Sequence, residues 1–354
     1  MRIAILSFSS EGQLLGRRLR EALEGRGSDC TLRRCPEGGL REWTQNHFLS
    51  NEALIFVGSC GIAVRAIAPF VQSKSSDPAV LVIDETGKFV VSLLSGHLGG
   101  ANELTKWVAE QLSATPVITT ATDRRGLFAV DSWARRNGYF VSNPEKIKEV
   151  SSALLEGKTV TFCSDFPISG KVPEQLRLLQ RDRSEAEREA REQKPGEIDF
   201  SVSWQRRESE ELRIVVPSLY IGIGARKGIS SEAVEQLVDH CLKELKASPL
   251  AVKAVASIDL KANEEGIFEC CARHAWTFLC FSQEELARVE GDFSASAFVK
   301  EVTGVDNVCE RSAVLAAGQG SRLLLRKQSL DGVTCAIALE AISLSFDTAQ
   351  PPQA

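Results

Sequence analysis

The sequence predicts an α/β protein: two three-layer α/β domains joined by a variable charged middle region. Short apolar runs alternate with helix-period segments through the first 130 residues, the pattern of a sheet covered on both faces. A second strand, glycine loop and helix begin at 219. Between them, residues 175–211 concentrate mixed charge and a Pro-Gly pair, which reads as an exposed helix and a linker. The expected division is therefore 1–130, a middle region at 131–215, 216–345, and a disordered tail at 346–354.

Each element has a local reason. "RIAILS" (2–7) is a buried strand, followed by a helix over 11–24 and a short strand near 31–35. "ALIFVG" (53–58) enters "GSCG" and the helix "IAVRAIA", which Pro69 closes because proline cannot continue a helix. "AVLVID" (79–84) and "KFVVSLL" (88–94) flank "ETG", a hairpin by length and turn chemistry. A helix over 101–112 and the strand "PVITT" (116–120) follow. The middle region offers a helix at 131–137 and a strand at 158–164. In the last domain, 219–243 supply strand, glycine loop and helix, and "KAVASIDL" and "AWTFLCFS" are strands. "DNVCERSAVLAAG" is a helix ending at Gly318, and "RLLLRKQSLDGVTCAIALE" is a hairpin turning at Ser329–Gly332.

Composition excludes several classes. A net charge of −5 argues against a broad nucleic-acid footprint, while leaving room for basic residues around an acidic small molecule. No apolar run approaches the roughly 18 residues that span a bilayer. "MRIAILSFSSEG" lacks the features of a signal peptide, so a cytoplasmic protein with ten reduced cysteines is expected. There is no CxxC, and neither Cys270–Cys271 nor His240–Cys241 has ligand spacing, so no metal site is expected.

Ligands of open α/β sheets bind at strand carboxyl ends, where loops turn into helices. The loops 58–61, 95–102 and 119–123 each follow a strand, and the hairpin brings 74–78 beside 95–97. Four loops are thus expected on one edge. They carry Gly58, Gly61, Lys74, Asp77, Ser95, Gly96, His97, Gly99, Gly100, Asn102, Thr119, Thr120, Thr122 and Asp123. Glycines let backbone N–H groups approach an anion, and the helix beginning near Ala101 adds its positive end. His97, one of four histidines, suits proton transfer near neutral pH, with Asp77 or Asp123 orienting it or holding a water. By the same hairpin geometry Asp84 and Glu85 lie roughly 20 Å away.

Every feature has a plainer reading. The glycine loop can be only a turn, and Thr122 or Asp123 a helix cap. Asp84 and Glu85 fit a hairpin turn, and Arg65 can face solvent or clamp a carboxylate. Convergence on one edge favours a site for an anionic or oxygen-rich small molecule, hydrolysis being one possible use. "GIGARKG" (222–228) fails as a dinucleotide loop: its last glycine is misplaced, and no acidic residue closes a following strand. Beyond Gly222 and Gly224, Arg226 and Lys227 supply two cations suited to carboxylates, or else an exposed basic turn.

"GIAVRAIAP", "DPAVLVIDETGKFVVSLLSGHLGGANEL" and "PVITTATD" closely resemble the N-terminal domain of the cobalt-precorrin-5A hydrolase family of anaerobic cobalamin biosynthesis. "IGIGARKGIS" and "LLLRKQSLDGVTCAIA" resemble that family's C-terminal domain, with a variable region between. The resemblance implies a cobalt-bound tetrapyrrole substrate whose ring A δ-lactone is hydrolysed, with release of acetaldehyde. It implies no cofactor beyond the cobalt the substrate carries. Other cobalamin-pathway enzymes are conceivable partners, nucleic acid and membrane are not. Against that reaction, His97 is expected to move the proton, the N–H groups around Gly96–Gly100 to hold the oxyanion, and Asp123 or Asp77 to hold the water. Arg65, Lys74, Arg226 and Lys227 become carboxylate clamps. Glu85 stays a second catalytic candidate because the resemblance includes "DETG". The rival from another class is a non-catalytic tetrapyrrole carrier, which needs the clamps but not His97.

Overall fold

The computed structural model describes all residues except 38, 74–75, 121–126, 180–197, 207–209 and 348–354. The chain forms two compact units, residues 1–136 with 147–158, and residues 137–146 with 159–354. Most of the charged run and of the expected tail falls outside the described residues.

The first unit is built on a six-stranded sheet in the order β2-β1-β3-β4-β5-β6. Its strands are β1 (Arg2–Ser7), β2 (Asp29–Arg34), β3 (Ala53–Val57), β4 (Ala79–Ile83), β5 (Phe89–Leu94) and β6 (Thr115–Val117). Residues of β3 and β4 are buried on both faces, which is why both read as continuous apolar runs rather than alternating ones. The helices α1 (Ser10–Gly25) and α4 (Ala101–Leu112) cover one face through Leu15, Leu19, Leu104 and Val108. On the other face, α2 (Leu40–Phe48) and α3 (Cys60–Ile67) pack Trp43, Phe48, Ala63 and Ile67. The sequence reading missed α2, which has only nine residues and no side-chain cap.

Strand direction decides where loops emerge. β1, β2, β3 and β4 are mutually parallel, β5 runs antiparallel to β4, and β6 is parallel to β5. The hairpin forms as expected, with Ile83 opposite Val90 and Asp84 pinning the turn by accepting from the Thr86 and Phe89 N–H groups.

Two helices from the span expected to be the middle region, α5 (Val130–Arg136) and α6 (Ile147–Leu155), belong to the first unit. The rest of the described part of that span forms its own five-stranded sheet, β10-β8-β11-β12-β7, and most of the stretch expected as an exposed helix and linker lies outside the described residues. Its members are β7 (Phe140–Val141), β8 (Val160–Ser164), β10 (Leu176–Leu178), β11 (Phe200–Ser203) and β12 (Leu212–Val215), while β9 (Ile168–Ser169) pairs in parallel with the last strand, Leu344–Ser345. Phe162 and Phe200 stack at 5.0 Å across neighbouring strands. β8 is the strand expected at 158–164, whereas the sequence reading passed over β7, β10, β11 and β12, which have two to four residues each.

The C-terminal sheet has the order β15-β14-β13-β17-β16. β13 (Leu219–Ala225), β14 (Val252–Ile258) and β15 (Thr277–Phe281) are parallel, and β16 (Arg322–Leu330) with β17 (Val333–Leu339) forms the expected hairpin. Its helices are α7 (Ser231–Glu244), α8 (Glu265–His274), α9 (Gln283–Ala287), α10 (Ala297–Thr303) and α11 (Cys309–Ala317). α11 lies so close over β13 that a Cβ at Gly222 would fall 1.8 Å from the Cys309 carbonyl oxygen. Gly222, expected to bind substrate, is thus a packing residue: only a bare Cα fits beneath that helix. Among the described residues no helix is long and apolar enough to cross a membrane.

Two glycine substitutions should therefore move stability in opposite directions. Gly222→Ala forces α11 off the sheet and is expected to cost about 3 kcal/mol, the upper end of overpacking penalties. Gly25→Ala places a methyl in open space at the end of α1 and should stabilise by about 0.5–1 kcal/mol. Denaturant midpoints measured for both variants check this; equal shifts would contradict the close approach at Gly222.

Candidate functional site

The reversal at β5 brings three of the four expected loops together. Residues 95–100 follow β5, Thr119 and Thr120 follow β6, and Asp77 precedes β4, all at the same end of the sheet. The fourth loop is a correction. β3 is parallel to β4, so Gly58, Gly61 and Arg65 leave the opposite end, where Gly58 donates to the Ile83 carbonyl beside Asp84 and Glu85. Arg65 is exposed and donates to the Gly61 carbonyl at 3.3 Å. The assumption that every strand-to-helix loop shares one edge ignored the antiparallel member. Glu85 is exposed in the hairpin turn, a strand's length of roughly 20 Å from His97, as the hairpin geometry requires.

The 95–100 loop is held by its own backbone. Ser95 sits at φ 56°, a conformation that costs a non-glycine residue of order 1–3 kcal/mol. Its hydroxyl is buried without a hydrogen-bond partner. The N–H groups of Gly100, Ala101 and Asn102 donate to the carbonyls of His97, Ser95 and Gly96, closing the turn onto α4. Those of Gly96, Leu98 and Gly99 make no hydrogen bond among the described residues. Gly100, at φ 79°, lies under the Arg135 guanidinium, which a Cβ there would strike.

His97 is mostly buried, and its Nδ1 lies 3.1 Å from Asp131 Oδ2. The other carboxylate oxygen of Asp131 accepts the Ser132 N–H. Facing a carboxylate, the Nδ1 of a neutral imidazole is the donor, a tautomer that has its lone pair on Nε2. Sequence reasoning missed Asp131, which enters from the first turn of α5, 34 residues away. The signal available was an acid inside an otherwise apolar helix start, "AVDSW".

Other expected residues are structural. Asp77 is buried and accepts the Gln72 and Ser73 N–H groups, so it shapes the turn before β4 and does not meet His97 in a hydrogen bond. Asn102 is buried between Ser92 and Thr120, accepting from one hydroxyl and donating to the other at 2.7 and 2.9 Å. Thr119 is exposed. Lys74, Thr122 and Asp123 lie outside the described residues. Ser95, Gly96, His97, Thr120 and Asp131 line a cavity of about 390 Å³ whose far wall is α6, with Lys148, Ser151 and Ser152. That wall was not foreseen either.

A second cavity, about 900 Å³, opens at the carboxyl ends of β13 and β14. Gly224, Arg226 and Lys227 line it, joined by Lys261, Glu264, Lys327 and Asp331. Burial pushes the pKa of Glu264 up, but Lys261 Nζ at 3.0 Å and the Gly228 and Ile229 N–H groups outweigh that and hold it below the usual carboxylate range. Burial raises the Cys309 thiol in this wall to about 11, so it is no nucleophile.

Family models described as cobalamin synthesis G N-terminal, cobalamin biosynthesis central region and cobalamin synthesis G C-terminus match residues 42–123, 128–217 and 219–338. A cobalt-precorrin-5A hydrolase of Priestia megaterium is 33% identical over 314 residues, covering 85% of this chain and 82% of that protein. A cobalt-precorrin-5A hydrolase of Salmonella typhimurium is 35% identical over 313 residues, covering 86% of each. The crystal structure of a cobalamin biosynthesis protein G homologue from Sulfolobus solfataricus aligns at 23% identity and TM-score 0.41, over 95% of this chain and 96% of that one. With identity above 30% across most of both chains, and models matched in the same order, the chain belongs to the cobalt-precorrin-5A hydrolase (cobalamin synthesis G) family.

Proposed function

We propose that this chain hydrolyses cobalt-precorrin-5A, opening its ring A δ-lactone and releasing acetaldehyde to leave cobalt-precorrin-5B. The observation that carries the reading is the His97–Asp131 pair in a small cavity beside a glycine loop. A water attacking the lactone carbonyl must lose a proton, and we assign that step to His97. Asp131 fixes the tautomer and stabilises the imidazolium that forms. Negative charge builds on the carbonyl oxygen as the water adds. The N–H groups of Gly96, Leu98 and Gly99 are the donors in the loop that can meet it. The Gly100 N–H, first counted among them, is already spent on the His97 carbonyl.

Collapse of the tetrahedral intermediate breaks the acyl–oxygen bond and leaves an alkoxide on the two-carbon unit. That alkoxide becomes the acetaldehyde carbonyl as its carbon–carbon bond to the ring breaks, and the electron pair passes to the cobalt-bound macrocycle. Cobalt belongs to the substrate, and the protein contributes proton transfer and donors without a cofactor of its own. The carrier reading keeps the cations but gives the buried Asp131–His97 contact no task.

Anaerobic incubation of purified protein with cobalt-precorrin-5A, with acetaldehyde trapped and quantified, tests this directly. His97→Ala should lower the rate by about 10²–10⁴-fold, the range of a lost general base. Asp131→Asn should cost about 10²-fold or more while leaving the fold intact. Glu85→Gln should match wild type. Equal release from wild type and His97→Ala would remove His97 from the chemistry. Bound corrinoid with no acetaldehyde from any sample would leave the carrier.

A further inference from the structure

The 900 Å³ cavity of the C-terminal domain shares no residue with the His97 site, and its lining has a definite character. It is large, near the top of the roughly 300–1,000 Å³ range of small-molecule pockets. Three of its apolar side chains, Leu260, Val302 and Leu330, are solvent-exposed, an arrangement that leaves greasy surface open at a mouth rather than in a core.

Its charge is equally specific. Lys261 is neutralised by Glu264 at 3.0 Å. Arg226, Lys227 and Lys327 make no ion pair among the described residues, and only Asp331 stands against them. A wall with surplus positive charge, in a chain of net charge −5, selects an anion. Two backbone N–H groups beside the cavity, those of Gly228 and Ile229, are already taken by Glu264. Recognition falls to three side-chain cations, Arg226, Lys227 and Lys327, which line the same cavity as the apolar side chains. A ligand matching this is broad and apolar in its body and carries several carboxylates spread around its rim.

We infer that this cavity is a binding site for a polycarboxylate tetrapyrrole, with Arg226, Lys227 and Lys327 each engaging a peripheral carboxylate and Leu260, Val302 and Leu330 packing on the ring. Lys327 and the apolar trio are members that no motif pointed to. The choice of ring system rests on the function proposed above, whereas the size and charge requirements rest on the cavity alone.

The test uses the full chain and a stable probe, a dicyano-cobalt corrinoid with seven free carboxylates, with its heptamethyl ester as the uncharged control. Binding is followed by equilibrium dialysis and visible absorbance at 50 and 200 mM salt. The triple variant R226Q/K227Q/K327Q should bind the heptacarboxylate about 30- to 100-fold more weakly, from about 3- to 5-fold per partly exposed cation. It should also lose most of the salt dependence seen with wild type. Val302→Asp, at an exposed position, should weaken binding of both probe and ester. His97→Ala should bind as wild type does. Unchanged affinity in a folded triple variant, or binding lost in His97→Ala, overturns the assignment. Acetaldehyde release separates the two readings. Turnover with triple-variant binding unchanged sinks this site alone; binding as described without turnover sinks the hydrolase and leaves the site standing.

Discussion

The change of strand direction between β4 and β5 fixes where every loop of the first unit can act. β4 is buried on both faces and must pair on both sides, parallel to β3 and antiparallel to β5. Asp84 holds the intervening turn through two N–H groups. Once β5 runs backwards, the segments after β5 and β6 emerge where β1, β3 and β4 begin. The 95–100 loop, Thr120 and the turn capped by Asp77 therefore become neighbours. The 58–65 segment and Glu85 go to the other end, and no adjustment of a loop can bring them back across a five-residue strand.

One short helix completes what the sheet begins. Asp131 and Arg135 are four residues apart on α5 and so lie on one face. The first holds His97 and the second covers Gly100, so a single docked helix fixes both the imidazole and the turn that presents it. Trp133, between them in sequence, is fully buried. Fixing a histidine in this way converts an ordinary surface imidazole into a base of defined tautomer. The strained Ser95 backbone persists because the β5 strand before it and the α4 helix after it leave the chain no other path.

The elements were legible where the signal was local. Alternation, glycines and the "ETG" turn located the hairpin, α1, α4 and the C-terminal β13–α7 unit without reference to anything distant. The errors came from relations between segments. Gly58, Gly61 and Arg65 were misplaced because strand order and direction, not strand identity, decide the edge. Asp131 was invisible for a similar reason: its partner is 34 residues away and nothing near it in sequence marks the pairing. Most of the middle sheet was lost to a rival signal. Only β8 was expected, at 158–164; the other strands are two to four residues long, and dense charge around them outweighs apolar positions such as Phe200.

The "GIGARKG" loop shows how a buried side chain can settle what a motif leaves open. A phosphate-binding loop works by pointing unsatisfied backbone N–H groups at an anion near a helix N-terminus. Here the protein supplies that anion itself: Glu264, from the segment leading into α8, accepts from Gly228 and Ile229 and is in turn bound to Lys261. With the cradle filled from within, a nucleotide has no N–H groups to bind at those two positions. The charge left over belongs to Arg226, Lys227 and Lys327, three cations supplied by the loop after β13 and by β16. Cations on three different side chains can each pair with a different carboxylate of a polyacid. The same glycines that suggest a dinucleotide loop therefore serve a different purpose. Gly222 lets α11 press against the sheet, and Gly224 stands at the cavity wall, where its Cβ would meet the Thr334 hydroxyl.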